Sequence, residues 1–219
     1  MEQNQSLNVK RLAVPPIGEN TYIVNDGKFA FIVDPGGLPE AVIKNASGFE
    51  VLYILLTHSH FDHIYALREV ADAFPKASVC IHRLDRPALS SEGNLAYSFG
   101  EDFSYTGRVD IELSDGQTLD FNGRSIKVLH TPGHTEGGVC FYIGLDGLLF
   151  SGDTLFRSSV GRSDFPGGDA DLLERSIREK LYTLPGGTRV WPGHDEPTDI
   201  AWERQRNMFV RAQVADEAS

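Results

Sequence analysis

The chain has 219 residues, enough to bury one large core in a single α/β domain. Its hydrophobic fraction is 41% and its charged fraction 23%, ordinary globular usage that excludes a disordered or fibrous chain. A net charge of −11 repels phosphate backbones and argues against nucleic acid as a partner, and no run approaches the ~18 apolar residues of a membrane span.

In chain order, residues 1–7 are polar, with no apolar stretch of signal-peptide type, so a cytoplasmic location is expected. Residues 20–24 and 28–33 are strand-like runs joined by Asn25-Asp26-Gly27, a hairpin signal. Asp34-Pro35-Gly36-Gly37 breaks the second strand, and residues 39–46 suit a short helix. Residues 51–57 (VLYILLT) form a continuous β-type run suited to a strand buried on both faces. Ile64, Leu67, Ala71 and Phe74 recur at helical spacing up to Pro75, and residues 77–82 return as a strand. Residues 83–108 carry the weakest pattern, a short helix and a covering loop at most. Residues 118–121 and 125–129 pair across Asn122-Gly123, and residues 139–143 and 148–151 pair across a glycine turn. A helix is predicted over 169–183, with Leu173, Ile177 and Leu181 on one stripe. A short strand at Val190-Trp191 and a final helix over 198–210 complete the chain. Cys80 and Cys140 lie inside apolar runs and read as buried free thiols. No linker divides residues 1–219, so one domain is expected.

Four metal-ligand types crowd into His58-Ser59-His60-Phe61-Asp62-His63, where a buried strand meets a helix. His58 and His60 are two apart and share a side of an extended chain. Buried together, these groups each need a partner, which a metal ion supplies. Imidazoles with a carboxylate suit zinc, iron or manganese. His134 follows Thr131-Pro132-Gly133, Asp153 follows Ser151-Gly152, and His194 follows Trp191-Pro192-Gly193. Each sits on a glycine turn at the end of an apolar run. Seven ligands match two adjacent ions with a position left for water.

HSHFDH, TPGHT, SGDTLF and WPGH, in this order, resemble the metallo-β-lactamase superfamily, and within it the short, single-domain glyoxalase II-like hydrolases. The stretch from Arg157 to Asp169 and the segment Glu203 to Asn207 resemble that group too, with Met208 in place of its usual proline. The resemblance implies an α/β fold, an αββα sandwich of two mixed β-sheets flanked by helices, without the C-terminal helical domain of full-length glyoxalase II. It implies two divalent ions, zinc first, with iron or manganese as alternatives. One is held by His58, His60 and His134, the other by Asp62, His63 and His194, with Asp153 shared. The implied reaction is hydrolysis of a small-molecule thioester, such as a hydroxyacylglutathione, by metal-bound hydroxide that Asp62 orients.

The commonest class B β-lactamases carry Cys where Asp153 stands, so antibiotic hydrolysis is not expected. A mononuclear iron persulfide dioxygenase using His58, His134 and Asp153 is the main rival, with lactone hydrolysis and a non-catalytic binding module behind it. Arg157 and Arg162 either clamp a substrate carboxylate or pair with Asp164 and Asp169. Phe99, Phe103 and Tyr105 read as an ordinary hydrophobic cluster before a pocket lining. His130 suits packing or a supporting hydrogen bond, and His82 is given no role.

Overall fold

The computed structural model describes residues 6–90 and 92–211. The polar start of the chain up to residue 5 lies outside the described residues. Strands β1 (Asn8–Val14), β2 (Glu19–Asn25) and β3 (Phe29–Val33) form an antiparallel meander. Helix α1 (Pro39–Ala46) crosses to β4 (Glu50–Leu55), which pairs parallel with β3. Helices α2 (Phe61–Ile64) and α3 (Leu67–Ala73) lead to β5 (Ser78–His82), parallel to β4. Three short 3-10 turns, Arg86–Ser90, Glu92–Asn94 and Tyr97–Phe99, then precede β6 (Ile111–Leu113), which closes a six-stranded sheet in sequential order.

The second sheet begins with the hairpins β7 (Thr118–Phe121)–β8 (Arg124–His130) and β9 (Val139–Ile143)–β10 (Leu148–Gly152). A small hairpin of β11 (Leu155–Phe156) and β12 (Ser159–Val160) follows. Helix α4 (Ala170–Ser176) and a π-helical turn (Ile177–Leu181) lead to β13 (Arg189–Pro192), parallel to β10. Strand β14 (Thr198–Asp199) and helix α5 (Ile200–Arg206) end the fold. The second sheet runs β14-β13-β10-β9-β8-β7.

Period-two alternation divides the core. Along β2, Tyr22 and Val24 face the other sheet, where they meet Phe121, Phe141 and Phe150; Ile23, between them, faces α1 and α3 through Val42, Leu67 and Val70. On the far side, Leu129, Cys140 and Leu149 pack beneath Leu173, Ile177 and Ile200. Four layers result, helix–sheet–sheet–helix, with both sheets mixed, as the family resemblance implied. Phe31 stacks edge-on against Phe121 at 5.0 Å and Tyr22 against Phe150 at 5.3 Å. Each fully buried ring of this kind contributes about 2–3 kcal/mol. Both cysteines are free and buried, and burial pushes their thiols up, Cys80 to about 12 and Cys140 to about 11.

Two expectations are corrected, and one strand was not foreseen. The helix expected through Ile64 and Phe74 is broken at Tyr65-Ala66, because the Ala66 N–H turns to the Pro35 carbonyl at 2.9 Å instead of continuing the ladder. The final helix expected over 198–210 is confined to α5. Thr198–Asp199 pairs with β13, the Asp199 carboxylate caps the helix by accepting from Trp202 N, and Asn207 leaves the helical region. Strand β1, exposed along much of its length, lacks the strict alternation that makes a strand readable. Among the described residues no helix is long and apolar enough to cross a membrane.

Candidate metal centre

All seven expected ligands gather at one end of the sandwich, although they come from four separate loops. His58 follows β4, His60 caps α2 with extended backbone, and Asp62 and His63 occupy its first turn. His134, Asp153 and His194 follow β8, β10 and β13. The rigid sheets fix the loop origins, and the glycines allow the close approach. A Cβ on Gly152, whose φ is +48°, would strike the Thr57 side chain; one on Gly193 would strike the Asp153 carboxylate.

His58, His60 and His134 form one group, with ring centroids 4.6–4.8 Å apart. Asp62, His63 and His194 form a second, in which Asp62 Oδ2 lies 3.5 Å from His63 Nε2 and 3.3 Å from His194 Nε2. Asp153 stands between them. Its Oδ1 is 3.3 Å from His63 Nε2, and its Oδ2 is 3.5 Å from His134 Nε2 and 3.6 Å from His194 Nε2.

The rings are oriented from behind. His58 Nδ1 donates to Thr57 Oγ1 at 3.0 Å, and that hydroxyl donates to Asp34 Oδ2 at 2.6 Å. Asp34 also accepts from Thr57 N at 2.7 Å and from His63 Nδ1 at 3.0 Å. His134 Nδ1 donates to the Arg162 carbonyl at 2.6 Å. Each bond engages the Nδ1 proton and leaves the Nε2 lone pair facing the centre. Asp34, His58 and His63 also lie close enough to form a ligand group of their own; the Asp34 carboxylate, already accepting three hydrogen bonds, serves instead to orient the two rings.

The donor set fits metal ions. His58 Nε2, His60 Nε2, His63 Nε2 and Asp153 Oδ1 are buried without a hydrogen-bond partner among the described residues. Each such atom costs about 1–3 kcal/mol unless a cation satisfies it. Burial, reinforced by neighbouring imidazoles, holds His58 well below its usual range and His60 at about 3, which keeps them as neutral donors. Burial also opposes charge on His63, but Asp62 and Asp153 outweigh it and raise that ring well above its usual range. Positive charge is favoured among these carboxylates, whether carried by a proton or by an ion.

Two buried carboxylates were not legible as site residues. Asp34 showed only as a strand breaker, and Asp85 lies in the stretch with the weakest pattern. Asp85 accepts from Ser59 N at 3.1 Å and Ser59 Oγ at 3.3 Å in the first loop, and from Thr135 Oγ1 at 2.8 Å and Gly137 N at 2.6 Å in the second. It ties the loop of His58 and His60 to the loop of His134. His82 and His130 stay outside the cluster, stacked on each other with centroids 4.2 Å apart.

A cavity of about 410 Å³ opens over the cluster, its floor formed by His60, Asp62, His134, Asp153 and His194. Arg162 lines it, paired through two hydrogen bonds with Asp164 at 2.8 and 2.9 Å. Arg157 does not line it; that side chain lies over Trp202 in a separate groove, bonded to the Pro197 carbonyl. Phe99 lines the cavity, whereas Phe103 stacks on Tyr65 and Tyr105 is buried beneath.

Residues 14–194 match the model of the metallo-beta-lactamase superfamily. The chain belongs to that superfamily. Similar proteins include the probable metallo-hydrolase M6_Spy0554 of Streptococcus pyogenes serotype M6, 36% identical over 88% of this chain and 85% of its own. The hydroxyacylglutathione hydrolase GloC of Haemophilus influenzae is 31% identical over 94% of this chain and 99% of its own. Among solved structures, the BLEG-1 B3 metallo-beta-lactamase superposes with a TM-score of 0.88 at 38% identity, covering 93% of this chain and 99% of that one. TTHA1623 in a di-iron-bound form gives 0.81 at 37% identity, covering 92% and 100%. ETHE1 from Myxococcus xanthus gives 0.74 at 26% identity, covering 92% and 83%. The fold and the His/Asp metal-binding cluster support a metal-dependent hydrolase acting on a small molecule.

Proposed function

We propose that the chain is a glyoxalase II-like thioesterase working with two divalent metal ions. The carrying observation is Asp153, whose carboxylate stands between the two ligand groups, with Oδ1 near His63 and Oδ2 near both His134 and His194. His58, His60 and His134 would hold one ion, Asp62, His63 and His194 the other, with Asp153 shared. Bound there, the ions would supply a Lewis acid for the thioester carbonyl and a water acidic enough to act near neutral pH. Zinc suits the donors; the di-iron form of TTHA1623 adds support for iron.

The chain's own groups do the positioning. Asp62, in the first turn of α2 with its carboxylate toward His194, aligns the attacking water. Asp34, Thr57 and the Arg162 carbonyl hold the imidazoles in one tautomer. The departing thiolate has a pKa near 8.5, so no strong protein acid is required. The likeness to GloC over nearly the whole of both chains supports a thioester, with S-lactoylglutathione as the first compound to try. A β-lactam nitrogen would need a proton as it leaves, which ranks that substrate lower despite the likeness to BLEG-1. ETHE1 is the neighbour that fits the persulfide dioxygenase reading, at lower identity.

The test is turnover by metal-replete protein on thioesters, lactones, β-lactams and persulfides, with oxygen uptake followed in parallel. Thioester hydrolysis without oxygen uptake is expected. Persulfide-dependent oxygen uptake with no thioester cleavage would overturn the proposal.

A further inference from the structure

The cavity wall differs sharply from its floor. Phe61 and Phe99 lie 5.4 Å apart, Phe99 and Phe165 6.4 Å apart, and Phe165 meets the His60 ring at 5.9 Å. A continuous aromatic face therefore runs from the first ligand group out to the mouth. Phe156 meets the His194 ring at 5.9 Å on the other side, and Ile17 and Val160 also line the cavity. Phe99 and Ile17 remain 48% and 49% exposed, unusually open for large apolar side chains beside a site.

Cations are scarce on this wall. Among the described residues that line the cavity, Arg162 is the one arginine or lysine, and both arms of its contact go to Asp164. Its guanidinium lies over the Phe165 ring, 4.2 Å from the centroid, so it extends the aromatic face. A carboxylate of a charged thiol such as glutathione would have to share the guanidinium with Asp164, whose charge already offsets it. An apolar group needs no charge partner, and gains by covering Phe99 and Phe165.

We infer that the site selects its substrate by an apolar acyl group, aromatic or medium-chain aliphatic, seated on Phe99 and Phe165, with the buried Phe61 backing Phe99, and not by the charges of the thiol. This inference rests on the thioesterase reading. Hydrolysis is balanced as water and thioester going to a carboxylic acid and a free thiol, with no redox partner.

The experiment measures kcat/KM of metal-replete protein for acetyl, butanoyl, octanoyl and phenylacetyl thioesters of N-acetylcysteamine, an uncharged thiol, beside S-lactoylglutathione. The expected result is a rise of about tenfold or more from acetyl to phenylacetyl or octanoyl, with S-lactoylglutathione below both. F99A and F165A each compress that ratio, and F99L preserves most of it; a merely structural role would lower every substrate alike. A flat or falling series, or S-lactoylglutathione ahead, overturns the inference while the thioesterase reading stands. Turnover of no thioester in the panel overturns that reading and the inference with it.

Discussion

The floor and the wall of the cavity are built by opposite means. Around the floor, His58, His63 and His134 are each fixed by a backing partner, and Asp34 and Asp85 each accept several hydrogen bonds from the loops that carry the histidines. The wall is largely apolar and half open at Phe99 and Ile17, and its Arg162 side chain sits in an exposed pair with Asp164. The floor is held to one geometry, as chemistry on a carbonyl demands. The wall is left adaptable, as suits recognition by apolar contact. Chemistry and specificity thus reside in different parts of one small cavity.

The largest effect that sharpens this contrast is expected from D153A. Losing the shared carboxylate should lower metal content from about two ions per chain to below one and abolish turnover, read by elemental analysis and kcat. Next comes D85A, which touches no proposed ligand yet removes the common anchor of two loops. Metal affinity should fall by about 10- to 100-fold, with a lower Tm, and D85N should restore part of both. Unchanged metal affinity in D85A would show that the floor does not depend on its backing.

His82 offers a control outside the floor. Burial, with His130 beside it, holds its ring at about 4, against about 6.5 for a free imidazole. Arg83 and Lys180 act in the same direction and Asp115 against it. The unfolded chain takes up that proton first, so its contribution to stability is intact above about pH 6.5 and is lost as pH falls towards 4. H82Q should flatten this acid limb in denaturation curves; an unaltered limb would assign the acid sensitivity elsewhere. The smallest effect is expected from R162A. An exposed pair contributes little, so KM for S-lactoylglutathione should change by less than about threefold. A larger rise would make Arg162 a substrate clamp and bring charge recognition back to the wall.

The floor was legible because its residues are chemically rare and locally spaced. HSHFDH alone places four ligand types in six residues, and His134, Asp153 and His194 each follow a glycine turn after an apolar run. Alternating strands such as β2 and β8 were readable for the same local reason. The supports were not. Asp34 and Asp85 act across 23–52 residues of chain, through hydrogen bonds to loops that only the closed sandwich brings near. The wall was hidden too, since Phe99 and Phe165 come from distant irregular segments and acquire meaning only by meeting. The break at Ala66 has the same origin: a tertiary partner, the Pro35 carbonyl, overrides a sound helical stripe.

Whether the floor holds two ions sharing Asp153 is decided by titrating metal-depleted protein with zinc and, separately, with ferrous iron under anaerobic conditions, while following thioester hydrolysis at each addition. Activity should rise until about two ions are bound per chain, and both should be lost together in D153A. Saturation at one ion with full activity would contradict a dinuclear floor.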